Sequence, residues 1–330
     1  MSKRAGNIIL VLAISALIAF EGPSAAEVKA TYLYNLSNFT GIIPTSSAKV
    51  NFNSFDKEIY VITGDLIKVF NDKGMEVYSF GEDLNVGILL DAAADEKGDI
   101  YVLSNSYERK RFIITLCNYR GEPVREISLT NFPPEFEGVS PSRIFYRNGT
   151  LYLVSDGQML VVLADAQGVF KRGIDLFPLM DIKPEKSPRR REEKSSASLE
   201  VNRADYSIAG LTVDHEGNLL FANPINAKAY IITPDLKVDS FGKRGSAPGR
   251  LSIPRGVARD TAGHYLVSDI LRSVVIIFNK DFDFITEFGG RGSRPGSLLG
   301  PTEIVLDEDS KIYVTQLGER GVSVFKIEDN

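Results

Sequence analysis

The stretch "FGKRGSAPGRLSIPRGVARD", residues 241–260, returns 47 residues later as "FGGRGSRPGSLLGPTEIVLD", residues 288–307. Phe241 matches Phe288, Arg244 matches Arg291, Pro248 matches Pro295, Leu251 matches Leu298, Pro254 matches Pro301 and Asp260 matches Asp307. The correspondence runs on through Val267 with Val314 and Phe278 with Phe325, with no gap. A repeat of this period is a module that cannot bury its own faces and must stack on neighbouring copies.

Four weaker copies precede the clear pair. The six span residues 50–81, 91–129, 143–176, 211–242, 256–289 and 303–328. Each holds apolar runs of four to seven residues rich in Val, Ile, Tyr and Phe, bounded by turn residues, which is strand chemistry. Asp-x-x-Gly turns stand at residues 95–98, 214–217 and 260–263. There Asp accepts hydrogen bonds from the backbone ahead of it, and Gly takes the positive φ that ends the turn. In the sixth copy Ser310 replaces that glycine, so its turn is expected to be strained or rearranged.

Six modules of four short strands predict an all-β fold, a six-bladed β-propeller of four-stranded antiparallel blades. The sixth copy ends after its third strand, at residues 322–327, whereas an unassigned strand, "ATYLYNLS", occupies residues 30–37. Placing that strand at the outer edge of the last blade completes the count and removes an exposed edge. The opening motif then crosses from the outer strand of one blade to the inner strand of the next. Leu251 and Leu298 are expected to plug the space between blades, and Pro254 and Pro301 suit the first position of a strand. A phosphate-cradling loop would need a helix after it, and no helical pattern follows either copy.

In "PRGVARDTAGHYLVSD" and "PTEIVLDEDSKIYVTQ" the chain resembles the NHL repeat, specifically over residues 241–325 and weakly over 50–328. The resemblance implies a six-bladed propeller and leaves activity open, since the same ring serves as binding scaffold, lyase and lactonase. In the enzymes of this type the site lies at the channel mouth where inner strands begin. Amidating lyases hold a metal there on histidines, streptogramin lyases use a histidine with a carboxylate and magnesium, and lactonases hold calcium on Glu, Asn and Asp. This chain has two histidines, His215 and His264, both in turns between first and second strands, on the face opposite the crossings. A three-histidine metal site is excluded by that count.

The ends and composition bear on location. Residues 1–26 read as a signal peptide: a basic head at Lys3 and Arg4, an apolar run of 13 residues from Ile8 to Phe20, then Ser24-Ala25-Ala26. The run is shorter than the roughly 20 residues of a membrane span. Cleavage near Ala26 leaves residues 27–330 as one propeller domain, expected to be monomeric and periplasmic or extracellular. Removing that prefix takes the net charge from −5 to −6, unsuited to nucleic acid. Cys117 is the single cysteine and, in the run "RFIITLCNY", reads as a small buried hydrophobe.

Candidate binding residues collect at the predicted channel mouth. Arg143, Arg255 and Glu303 fall at inner-strand starts, and Ser104 or Asn105, Asp156, Asn223, Asp269 and Gln316 end second strands on the same face. Charged residues at inner-strand starts are hard to explain by packing; polar ones at second-strand ends commonly bind the backbone of adjacent loops. The insertion at 180–206, with "KPEKSPRRREEKSSASLEVNRAD", stretches one repeat step to about 68 residues and reads as a charged, mobile loop. Within it Arg189, Arg190 and Arg191 suit an acidic partner, and "YERKR" at 107–111 is a smaller version. The sequence therefore points to an exported, non-enzymatic scaffold without a cofactor, binding a protein partner through its mouth face and charged loops. The alternative is a lactonase or lyase with calcium or magnesium at the mouth, held by Glu303 with Asp and Asn side chains.

Overall fold

The computed structural model describes residues 28–39, 41–43, 48–84, 86–180, 182 and 202–329, so the signal-peptide reading and Arg189–Arg191 lie outside the described residues. Six four-stranded antiparallel sheets form the six blades. Blade 1 contains Lys49–Asn53, Glu58–Ile62, Ile67–Phe70 and Glu76–Phe80. Blade 2 contains Ile88–Ala94, Ile100–Ser106, Arg111–Cys117 and Pro123–Ile127. Blade 3 contains Arg143–Arg147, Thr150–Ser155, Leu160–Asp165 and Phe170–Asp175. Blade 4 contains Ala209–Val213, Leu219–Asn223, Lys228–Ile232 and Val238–Phe241, and blade 5 Pro254–Arg259, Tyr265–Asp269, Val274–Phe278 and Phe284–Gly289.

Blade 6 is built from both ends of the chain. Pro301–Leu306, Lys311–Gln316 and Val322–Asp329 are completed by Val28–Asn35, in the order the strand count predicts. The closing pair is antiparallel, with Ala30 opposite Ile327 and Tyr32 opposite Phe325. The Tyr32 ring meets Phe325 edge-on at 5.6 Å, and the Ser323 hydroxyl donates to Asn35 Oδ1 at 2.7 Å. Next to this strand, Ser37–Asn38 and Gly41–Ile42 form a small hairpin.

The core is divided among six seams, each filled from two adjacent blades. Along a central strand, successive side chains point to opposite faces, so one strand serves two seams. In Glu58–Ile62, Ile59 and Val61 pack toward blade 6, while Tyr60 and Ile62 pack toward blade 2. In Leu219–Asn223, Leu219 and Phe221 face blade 3, while Leu220 and Ala222 face blade 5. Both faces are buried, which is why these strands read as continuous apolar runs rather than alternating ones. Each fully buried Ile, Val or Phe contributes about 1.5–3 kcal/mol.

The repeated linker is one of the seam fillers. Leu251 is fully buried between blades 4 and 5, and Leu298 between blades 5 and 6. Leu251 N–H donates to Lys243 O, and Leu298 N–H to Gly290 O, both at 3.0 Å, which turns each leucine inward. The Phe-Gly preceding each linker now has a cause. Gly242 and Gly289 adopt φ +101° and +99°, and a Cβ there would sit 2.4 Å and 2.7 Å from the Cδ1 atoms of Leu251 and Leu298. Ser310 holds the position of the missing glycine at φ +60°, and its N–H reaches Asp307 O at a long 3.4 Å.

Candidate functional site

At the crossing face, where the chain passes from blade to blade, Arg143 opens the inner strand of blade 3 and is 1% exposed. Its Nη1 donates to Glu303 Oε1 at 2.8 Å. Blades 3 and 6 lie opposite one another in a ring of six, so this ion pair spans the central channel. Arg143 Nε also lies 3.5 Å from Oδ2 of Asp91, a fully buried carboxylate of blade 2. Asp91 in turn accepts from Asn51 Nδ2 at 2.7 Å and from the N–H groups of Ala92 and Ile144, each at 3.0 Å. The guanidinium lies over the Phe145 ring at 5.1 Å.

The electrostatics are those of a buried cluster. Burial pushes the carboxyls of Asp91 and Glu303 above their ordinary range, while Arg143 and Lys49 pull both down. Burial also disfavours the Arg143 charge, but Glu303 and Asp91 outweigh it and hold the guanidinium above its usual value. Lys49 donates to the backbone oxygen of Ser142, close to this group. Arg143 Nη2, Glu303 Oε2, Asp156 Oδ1 and Ser104 Oγ are buried without a hydrogen-bond partner in the protein.

Of the residues singled out from sequence, Arg143, Glu303 and Asp156 come together here, joined by Asp91 and Lys49, which sequence reasoning missed. Asp91 lies inside "GILLDAAAD", where an apolar run disguised it. The other members of the ring are held by local structure. Asp269 accepts from the N–H groups of Ser252, Ile253, Leu271 and Arg272. Asn223 accepts from Ile225 and Asn226, and Gln316 accepts from Leu299 N–H while donating to Ser323 Oγ. Arg255 is exposed.

Among the described residues no three His, Cys, Asp or Glu side chains converge as a metal site. Asp91 and Glu303 are instead bridged by Arg143, a cation already in place between them.

The opposite, turn face opens into a cavity of about 370 Å³, walled by the inner-strand ends and first turns of all six blades. Phe52, Phe145, Val213 and Ile304 are among its apolar lining residues. Asp95, Glu96, Asp214, Asp260, Asp307 and Glu308 bring six carboxylates, against the guanidiniums of Arg147 and Arg259 and the ring of His215. Arg259 pairs with Glu216 at 2.6 Å and Asp214 at 3.4 Å. The exposed imidazole of His215 has Nε2 3.7 Å from Glu216 Oε1. His264 Nδ1 lies 2.8 Å from Asp260 Oδ2. Sequence reasoning placed both histidines on this face and looked for the site at the other end.

No protein-family model matches the chain, and no curated protein is similar to it. Solved structures are similar in fold. A virginiamycin B lyase from Staphylococcus aureus is 14% identical with a TM-score of 0.51, over 92% of this chain and 90% of that one. A catalytically inactive histidine-to-alanine variant of that lyase, with quinupristin, is 14% identical with a TM-score of 0.53, over 91% and 99%. A protein of unknown function from Bacteroides thetaiotaomicron is 12% identical with a TM-score of 0.57, over 92% and 77%. At such identities the likeness establishes the six-bladed propeller and nothing about chemistry.

Proposed function

We propose that this chain is an exported, NHL-type propeller scaffold that docks a protein partner of the cell envelope or exterior on its crossing face, without catalysis there. The observation that carries this reading is what that face offers to solvent. Its channel is spanned by the Arg143–Glu303 pair, and Asn223, Asp269 and Gln316 are held by loop backbone and neighbouring side chains. What stands outward are Tyr107, Ile225 and Leu271, 71%, 51% and 68% exposed, in the second-to-third-strand loops of blades 2, 4 and 5. Large apolar side chains repeated around one face, with exposed Arg255 nearby, suit a protein interface better than a small-molecule site. The charged stretch between blades 3 and 4 in the sequence, with Arg189, Arg190 and Arg191, would supply cations for an acidic partner.

Crosslinking and capture from an envelope extract tests this. The wild-type protein is expected to retain a discrete partner, and the combined variant Tyr107→Ser, Ile225→Ser, Leu271→Ser to lose it while keeping its melting temperature. Equal capture by both proteins would refute the crossing face as the docking surface.

A further inference from the structure

The two ends of the channel treat the same pair of opposite blades differently. At the crossing end, Arg143 of blade 3 and Glu303 of blade 6 touch. At the turn end the same blades present Arg147 and Glu308 to the cavity, and no ion pair joins them. Arg147 owes its position to a local departure from the repeat. Blade 3 replaces the Asp-x-x-Gly turn with Asn148-Gly149 at φ +48° and +71°, a tight hairpin that lets the inner strand pair as far as Arg147 with Thr150.

Arg147 makes no direct ion pair among the described residues, although the Asp214 and Glu96 carboxylates act on its charge from a distance. Its Nη1 donates to Tyr146 O at 2.8 Å, and among the described residues no carboxylate lies within ion-pair distance. Burial is the largest influence on its pKa and lowers it. Glu308 is exposed and has no hydrogen-bond or ion-pair partner among the described residues. The aspartates around it are committed: Oδ1 of Asp95, Asp214, Asp260 and Asp307 each accepts backbone N–H groups of its own turn.

We infer that the turn-face cavity binds a small zwitterion of the α-amino-acid or short-peptide class, its carboxylate on Arg147 and its ammonium on the Glu308 side. The uncommitted N–H groups of a guanidinium select a carboxylate. A simple anion would also meet a wall with six carboxylates against two guanidiniums, a field that repels it and favours a ligand carrying a positive group as well. The half-buried Phe52, Val305 and Leu306 give the ligand's apolar side chain a surface to lie against. The volume falls in the range of small-ligand sites, roughly 300–1,000 Å³. This site is separate from the docking face and stands or falls independently of it.

Calorimetry on the full chain with the dipeptide Ala-Leu, its N-acetyl form and its C-terminal amide tests the assignment. Free Ala-Leu is expected to bind, and both blocked forms to bind more weakly. Arg147→Met is expected to weaken binding by about 10- to 100-fold, the loss of one charge-assisted contact. It should roughly keep the melting temperature, because burial already disfavours the charge it removes, and Arg147→Lys should recover part of the affinity. Glu308→Gln, at an exposed position, gives a second reading that does not depend on folding of the arginine variants. Absence of Ala-Leu binding at millimolar concentration, equal binding of the amide, or affinity unchanged in both Arg147→Met and Glu308→Gln would each overturn the inference.

Discussion

Arg143 and Glu303, separated by 160 residues in sequence, meet at 2.8 Å across the axis of the ring. Their contact couples opposite blades that share no seam, and with Asp91 it forms a buried triad of two carboxylates and one guanidinium. Such a triad costs several kcal/mol per ion in desolvation, and removing one partner is worse than never having built it.

Arg143→Met therefore leaves Asp91 and Glu303 without their common cation. A loss of about 3–5 kcal/mol is expected from urea unfolding. Glu303→Gln keeps the shape and leaves Asp91 paired with Arg143, so its cost should be clearly smaller. Equal losses in the two variants would show that the triad is not organised around Arg143.

Glu58 gives a pH signature. Burial, aided by Asp56, raises its carboxyl from 4.5 to about 7. A carboxyl raised in the folded state binds its proton more tightly than in the unfolded chain. Its contribution is fully present below pH 4.5 and is lost as pH rises toward 7. Between these values the melting temperature of Glu58→Gln should fall less with pH than that of the wild type, the difference being modest because the group is partly exposed. Parallel profiles would show that Glu58 titrates normally.

Each linker leucine is a seam plug and can be tested singly. Leu251→Ala and Leu298→Ala are each expected to cost about 2–5 kcal/mol in chemical denaturation, the usual range for a fully buried leucine. Gly242→Ala should also destabilise, since the new methyl would meet Leu251 at 2.4 Å at a φ of +101°. Combined with Leu251→Ala its added cost should shrink, because the obstructing side chain is gone.

Cys117 tests burial without mutation. Its thiol is fully buried between blades 1 and 2, and burial pushes its pKa up to about 12. A thiol reagent at pH 8 should label it only as fast as the protein opens, and promptly in denaturant. Prompt labelling of the native protein would contradict the packing of that seam.

The parts of the fold legible in the sequence were those written as local repetition. Phe-Gly, the linker leucine and the proline at the next strand start recur at fixed spacing in the last two copies, so blade order and a closing N-terminal strand, read at residues 30–37 and found at Val28–Asn35, could be derived by counting. The site was less legible because it arises from residues that converge only once the ring closes. Arg143 and Glu303 stood out as charges at strand starts, yet nothing local says that blade 3 faces blade 6. Asp91 was hidden by its apolar neighbours. Arg147 precedes Asn148-Gly149, which reads as a hairpin and draws attention to the turn rather than to the cation before it. The polar ends of the second strands were visible, and Asp269 and Gln316 hold adjoining loops, as side chains at such positions commonly do.

The closing strand also sets a timetable for biogenesis. Asn35 and its partner Ser323 are 288 positions apart, so the first strand leaves the ribosome long before the strand it must join. At ordinary translation speeds of about 5–20 residues per second, that interval is roughly 15–60 s. Throughout it, Val28–Asn35 is an unpaired edge able to join a foreign chain.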